Sequence, residues 1–211
     1  MSTQTTVVKH PLIAAKLSKM RDEKTCSKEF RESLDEIASL MCFEVFKDIK
    51  TYESEETYNT PTGCTLHKVE LEHKIVLAPI LRAGIGMVDG VRNMIPTAHI
   101  GHIGMYRNEE TLEPVEYYFK LPQVENPLVV VCDPMLATGG SACAALDAIK
   151  KRGFKHIRLM CLVGCPEGVA AIEKNHPDVP LYIAAIDERL NDKGYILPGL
   201  GDAGDRIFGT K

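Results

Sequence analysis

The sequence predicts an α/β fold: a mostly parallel sheet flanked by helices, with a β-hairpin arm and a C-terminal loop region. Three observations predict it. From Lys74 onward, short apolar runs without polar alternation recur between stretches of helical periodicity, the pattern of parallel strands covered on both faces. Residues 51–70 instead alternate Thr, Tyr and Val with polar residues around Asn59-Thr60-Pro61-Thr62-Gly63, as a hairpin does. The stretch 194–209 is rich in glycine and follows neither period.

Taken in chain order, a short helix is expected after Pro11, followed by an amphipathic helix over 27–47. Phe30, Leu34, Ile37, Met41 and Val45 recur there at helical spacing, with Ser27 as N-cap. Strands are expected at 74–80, 98–103, 127–132, 157–163 and 181–186, and helices at 84–94, 140–152 and 167–175. No repeat or low-complexity linker interrupts the 211 residues, so one domain over 1–211 is expected, with 51–70 as an arm and 187–211 as a C-terminal hood.

Composition narrows the class. Hydrophobic content of 45% with 26% charged residues is that of a soluble globular protein. No run approaches the roughly eighteen apolar residues that cross a bilayer. Lys9, Lys16 and Lys19 interrupt Met1–Met20, which therefore lacks a signal peptide's apolar core. A cytoplasmic protein without a membrane partner is expected. A net charge of −4 argues against a nucleic-acid partner, which would call for a basic face. The cysteine count of 7 is odd, with no Cys-x-x-Cys pair, so reduced thiols are expected.

In parallel sheets ligands sit beyond the carboxyl ends of the strands, so the loops there carry the chemistry. The run over 127–132 ends at Asp133, and Ala137-Thr138-Gly139-Gly140-Ser141 opens a helix. Glycines, hydroxyls and a helix N-terminus together suit a phosphate, although a tight ligand-free turn has the same composition. It is neither a Gly-Lys-Ser/Thr loop nor Gly-x-Gly-x-x-Gly. Arg82 follows the strand 74–80, placed for a phosphate oxygen or for a surface ion pair. Arg107 follows a third strand, and the charged stretch 107–116, with Glu109, Glu110 and Glu113, reads as a solvated loop able to act as a lid. The tail would be floppy on its glycine content. Yet Tyr195, Ile196, Leu197, Leu200, Ile207 and Phe208 give it residues to pack, and ordered bare backbone could read a flat polar ligand.

These segments resemble the uracil branch of the type I phosphoribosyltransferases. The resemblance rests on Val129-Val130-Val131-Cys132-Asp133-Pro134-Met135-Leu136-Ala137-Thr138-Gly139-Gly140-Ser141, on Leu-Arg-Ala-Gly at 81–84, on Gly-Met-Tyr-Arg-Asn-Glu-Glu-Thr at 104–111 and on Pro-Gly-Leu-Gly-Asp-Ala-Gly-Asp at 198–205. Many relatives carry two adjacent acids where this chain has Cys132 and Asp133. The resemblance implies a type I phosphoribosyltransferase-like fold and Mg²⁺-dependent transfer from phosphoribosyl pyrophosphate (PRPP) to uracil, giving UMP for pyrimidine salvage. It implies that residues 133–141 cradle the ribose 5′-phosphate, with Asp133 near the ribose hydroxyls, and that Arg82 and Arg107 hold the pyrophosphate. It implies that Ile196, Gly201, Asp202 and Ala203 bind uracil largely through backbone groups. Asp202 would also face PRPP and its Mg²⁺, Arg107 and Asp202 acting electrostatically without a dedicated general base. An N–H facing O4 and a carbonyl facing N3–H would accept uracil and refuse cytosine. A homodimer or higher homo-oligomer is implied, with the arm as interface element, and GTP is an effector in some relatives. The alternatives are the same fold with a purine or orotate, an RNA-binding regulator, and a nucleotide-sensing module without turnover.

Overall fold

The computed structural model describes residues 5–107 and 114–210, without the side chains of Arg107 and Pro114. The first half comprises β1 (Thr5–Val7), α1 (Pro11–Arg21), α2 (Ser27–Phe46), β2 (Thr51–Asn59), β3 (Thr65–Leu71), β4 (Lys74–Leu81), a 3-10 turn at Ala83–Met87 and α3 (Val88–Met94). Then come β5 (His99–Ile100), β6 (His102–Arg107), β7 (Pro114–Lys120), β8 (Pro127–Leu136), α4 (Gly140–Lys151) and β9 (His156–Gly164). The chain closes with α5 (Pro166–Asn175), β10 (Leu181–Ile186), β11 (Arg189–Leu190), β12 (Ile196–Leu197) and α6 (Ala203–Phe208).

The main sheet has the order β1-β10-β9-β8-β4-β6-β7, with β5 also beside β4. Its pairings are parallel except that of β6 with β7. The apolar runs are explained by two covered faces. Ile75, Leu77, Val130 and Met160 pack into the layer of α1, α2, α3 and α6, whereas Val76, Ala78, Val129, Val131 and Leu159 pack beneath α4 and α5. Alternate residues of one strand thus fill two cores, each buried side chain contributing about 1.5–3 kcal/mol. The hairpin arm forms as a separate two-stranded sheet of β2 and β3. No helix among the described residues is long and apolar enough to cross a membrane. All seven cysteines are free thiols.

Several local expectations are corrected. The N-cap of α2 is Cys26, not Ser27: the Cys26 carbonyl already accepts the first helical bond from Phe30 N at 2.9 Å. The helix expected over 84–94 starts as the 3-10 turn, where Gly84 lies so close to β8 that an added Cβ would fall 2.3 Å from the Cys132 carbonyl oxygen. The strand expected at 98–103 is split at Gly101 into β5 and β6. Strand β8 does not stop before Asp133. It continues to Leu136 because β9 stays beside it, pairing Asp133 with Cys161, Met135 with Val163 and Leu136 with Gly164. The far end of the 107–116 stretch is strand rather than loop, since Pro114 pairs with Arg107 at the start of β7. Residues 108–113, with Glu109, Glu110 and Glu113, lie outside the described residues.

The tail is ordered, against its local composition. It forms β12 and α6, and Ile196, Leu200, Ala203 and Ile207 are buried in the first core. Arg31 Nη1 donates to the Ile207 carbonyl at 2.7 Å, tying α6 to α2.

Candidate active site

The carboxyl ends of β4 and β8 face one cavity of about 220 Å³. On one wall β8 passes through Ala137–Gly139 into the first turn of α4. Gly139 caps that helix at φ 81°, in the left-handed region, and an added Cβ would lie 2.8 Å from that of Ala171. Glycine is therefore required there for conformation and for space. Gly140 N donates to Thr138 Oγ1 at 3.4 Å, and both Thr138 and Ser141 are exposed. The first N–H groups of a helix have no partner within it and carry partial positive charge, so this turn presents donors to an anion.

Arg82 also lines this cavity, joined to Leu81 by a cis peptide bond. Its side chain is 58% exposed and only loosely engaged, Nη2 lying 3.5 Å from Asp205 Oδ1 and the guanidinium 5.9 Å from the Phe208 ring centre. Such a contact leaves the cation accessible to a diffusible anion. Asp133 lines the same cavity, its Oδ1 accepting from Met135 N at 3.2 Å. Burial at the strand end pushes its carboxyl up to about 6. Hydroxyl donors placed on this carboxylate would favour its charged form.

A second cavity of about 380 Å³ opens between the tail and the α1–α2 connection, lined by Glu23, Thr25, Cys26, Ser27, Tyr195, Gly201, Asp202, Asp205 and Arg206. Asp202 caps α6, its Oδ1 accepting from Asp205 N at 2.9 Å. Arg82 lines the first cavity and touches Asp205, which lines the second, so the two sites adjoin through one ion pair.

Of the residues singled out from sequence, Arg82, Asp133, Met135, Leu136, Ala137, Thr138, Gly139, Gly140 and Ser141 line the first cavity together. Pro134 is buried and lines neither. Gly201 and Asp202 line the second cavity, whereas Ile196 and Ala203 line neither cavity and have their side chains buried in the core. The side chain of Arg107 lies outside the described residues; its backbone ends β6. Sequence reasoning missed Met105 and Tyr195 as lining residues. It also missed Asp187, although an acid directly after the apolar run of β10 repeats the placement of Asp133 after its own.

Known proteins share the sequence and the fold. A model of the family described as uracil phosphoribosyltransferase matches residues 7–210. Uracil phosphoribosyltransferases of Geobacillus kaustophilus and Clostridium acetobutylicum are 59% and 56% identical to the chain, covering 97% and 99% of it and 98% and 100% of their own length. A solved protein of Aquifex aeolicus superposes with a TM-score of 0.90 at 38% identity, over 99% of both chains. A Staphylococcus aureus hypoxanthine phosphoribosyltransferase, at 14% identity and a TM-score of 0.51 over 76% of each chain, shares the fold. A pentosyl-transferring enzyme on a type I phosphoribosyltransferase fold, the chain belongs to the uracil phosphoribosyltransferase family.

Proposed function

We propose that this uracil phosphoribosyltransferase transfers the phosphoribosyl group of PRPP to N1 of uracil in a Mg²⁺-dependent reaction, releasing pyrophosphate and giving UMP. The observation that carries the reading is that the Thr138–Ser141 donors, Arg82 and Asp133 line one cavity. The helix N-terminus would hold the 5′-phosphate and Asp133 the ribose hydroxyls. Arg82, with Arg107 from the end of β6, would hold the pyrophosphate. Uracil would lie against Ile196, Gly201, Asp202 and Ala203, read mainly by their backbone.

As the C1′–O bond to pyrophosphate breaks and the N1–C1′ bond forms on the opposite face, negative charge grows on the leaving group. Arg82 would lie beside that charge, and removing one such positive group costs about 3 kcal/mol of transition-state stabilisation in comparable sites. The residues supply positioning and electrostatics; N1 loses its proton to solvent or to a substrate oxygen. Mg²⁺ would be carried mainly on PRPP oxygens, with the hard carboxylate of Asp202, on the wall of the adjoining cavity, facing it; among the described residues no group of three or more His, Cys, Asp or Glu could hold it alone. When bound, it neutralises charge on the pyrophosphate. Free thiols at all seven cysteines support a reducing, cytoplasmic compartment. The exposed Tyr58 and Leu66 of the arm support assembly into a homodimer or larger oligomer. GTP as an effector stays an expectation from relatives.

The test is UMP formation from uracil and PRPP with Mg²⁺ present or chelated. Turnover that chelation abolishes, and a kcat lowered about 100-fold by Arg82→Ala without loss of fold, are expected. Metal-independent turnover would overturn the part assigned to Mg²⁺, and an unimpaired Arg82→Ala enzyme the part assigned to Arg82.

A further inference from the structure

The segment that would read uracil is short, glycine-rich and held by two arginines outside the motifs assigned to substrate. Arg206, on α6, donates through Nη1 to the Leu200 carbonyl at 3.0 Å and to that of Met20. Through Nη2 it donates to the carbonyls of Asp22 at 2.7 Å and Thr25 at 3.3 Å. Its guanidinium stacks 4.5 Å over the ring centre of the buried Phe30, and its Cδ lies 3.7 Å from where a Cβ on Gly201 would sit. One planar cation thus joins the reading segment to the α1–α2 connection, the other wall of the second cavity.

Arg21 holds the preceding residue. It makes a bidentate pair with Asp187 at 2.6 and 2.7 Å and donates to the Gly199 carbonyl at 2.5 Å, while Gly199 N donates to Asp187 Oδ2 at 2.8 Å. Both backbone polar groups of Gly199 and the carbonyl of Leu200 are therefore fixed immediately before Gly201-Asp202-Ala203. Glycine loses the most freedom on ordering, so a rigid reading edge needs such external bonds.

We infer that Arg206 and the Arg21–Asp187 pair are positioning residues that set the affinity and selectivity for the base far more than the hold on PRPP. This rests on the proposed transfer to uracil. The planar fork is the feature that matters: lysine keeps the charge but cannot serve four carbonyls in one plane.

The experiment measures kcat and both KM values of the wild type, Arg206→Lys and Asp187→Asn, together with PRPP binding and the rate ratio of uracil to cytosine. Each variant is expected to raise KM for uracil about 10-fold or more and to lower the ratio, with KM for PRPP within twofold of wild type. PRPP binding confirms that each variant is folded, and Asp187→Asn supplies a second route should Arg206→Lys not accumulate. A parallel rise in both KM values, or no rise in either, overturns the inference while wild-type turnover leaves the functional reading intact. A wild type that binds PRPP but does not convert uracil overturns that reading, and the inference with it.

Discussion

Asp133 is a carboxylate whose surroundings disfavour its charge. Its ordinary value of 3.8 is raised to about 6 by burial at the end of β8, so the fold favours the protonated form. The stability that this provides is present below about pH 4 and is lost as pH rises through 6. Asp133→Asn keeps the shape and stays neutral throughout. It is expected to unfold at higher urea than wild type at pH 7.5, by roughly 1–2 kcal/mol, and to converge with it near pH 4. Urea titrations at the two pH values read this directly, and a variant less stable than wild type at pH 7.5 would contradict it. The same substitution should depress turnover, since an amide does not replace a carboxylate beside ribose hydroxyls. Gly139 makes the matching point for the backbone: its left-handed φ and its closeness to Ala171 both shape the turn that opens α4.

The elements differ in how they are held. The hairpin of β2 and β3 forms its own two-stranded sheet, and such ribbons are marginal alone in water. Tyr58 and Leu66 face each other across it, 46% exposed each. If the arm mediates assembly, Tyr58→Ser with Leu66→Ser should weaken self-association about 100-fold, the equivalent of about 3 kcal/mol of lost apolar burial, with the monomer fold intact. Light scattering over a dilution series checks it; an unchanged assembly would show that the arm is not the contact.

Legibility also varied by element. Helix α2 and the core strands were readable because a repeating apolar pattern is recorded locally. The turn that opens α4 on the first cavity was readable because its glycines and hydroxyls sit together in sequence. Strand β1 was not, since three residues carry no period and pair only with β10. Helix α6 was hidden by Gly204 and by flanking acids, and it is held by bonds from Arg31 and Arg206 to distant carbonyls. The extension of β8 to Leu136 depended on the length of its neighbour β9, which no reading of β8 alone supplies.

At the scale of the molecule, the sheet fixes the chemistry's address. The parallel strands β4 and β8 end side by side, delivering Arg82 and the Asp133–Ser141 segment to one cavity. The tail crosses back over α1 and α2, bringing Gly201 and Asp202 to a second cavity that adjoins it through Arg82 and Asp205. On the proposed function, donor seat and base reader would thus come from separate stretches of the chain, in cavities that adjoin. The measurement that tests this division most directly is product formation from PRPP and Mg²⁺ with uracil, cytosine, orotate, hypoxanthine and adenine in parallel. Rapid UMP formation with uracil, and rates at least about 100-fold lower with the other bases, are expected from a reader that mispairs with them. Comparable turnover of another base would contradict the role assigned to residues 196–203, and tight PRPP binding without turnover of any base would contradict the transferase reading itself.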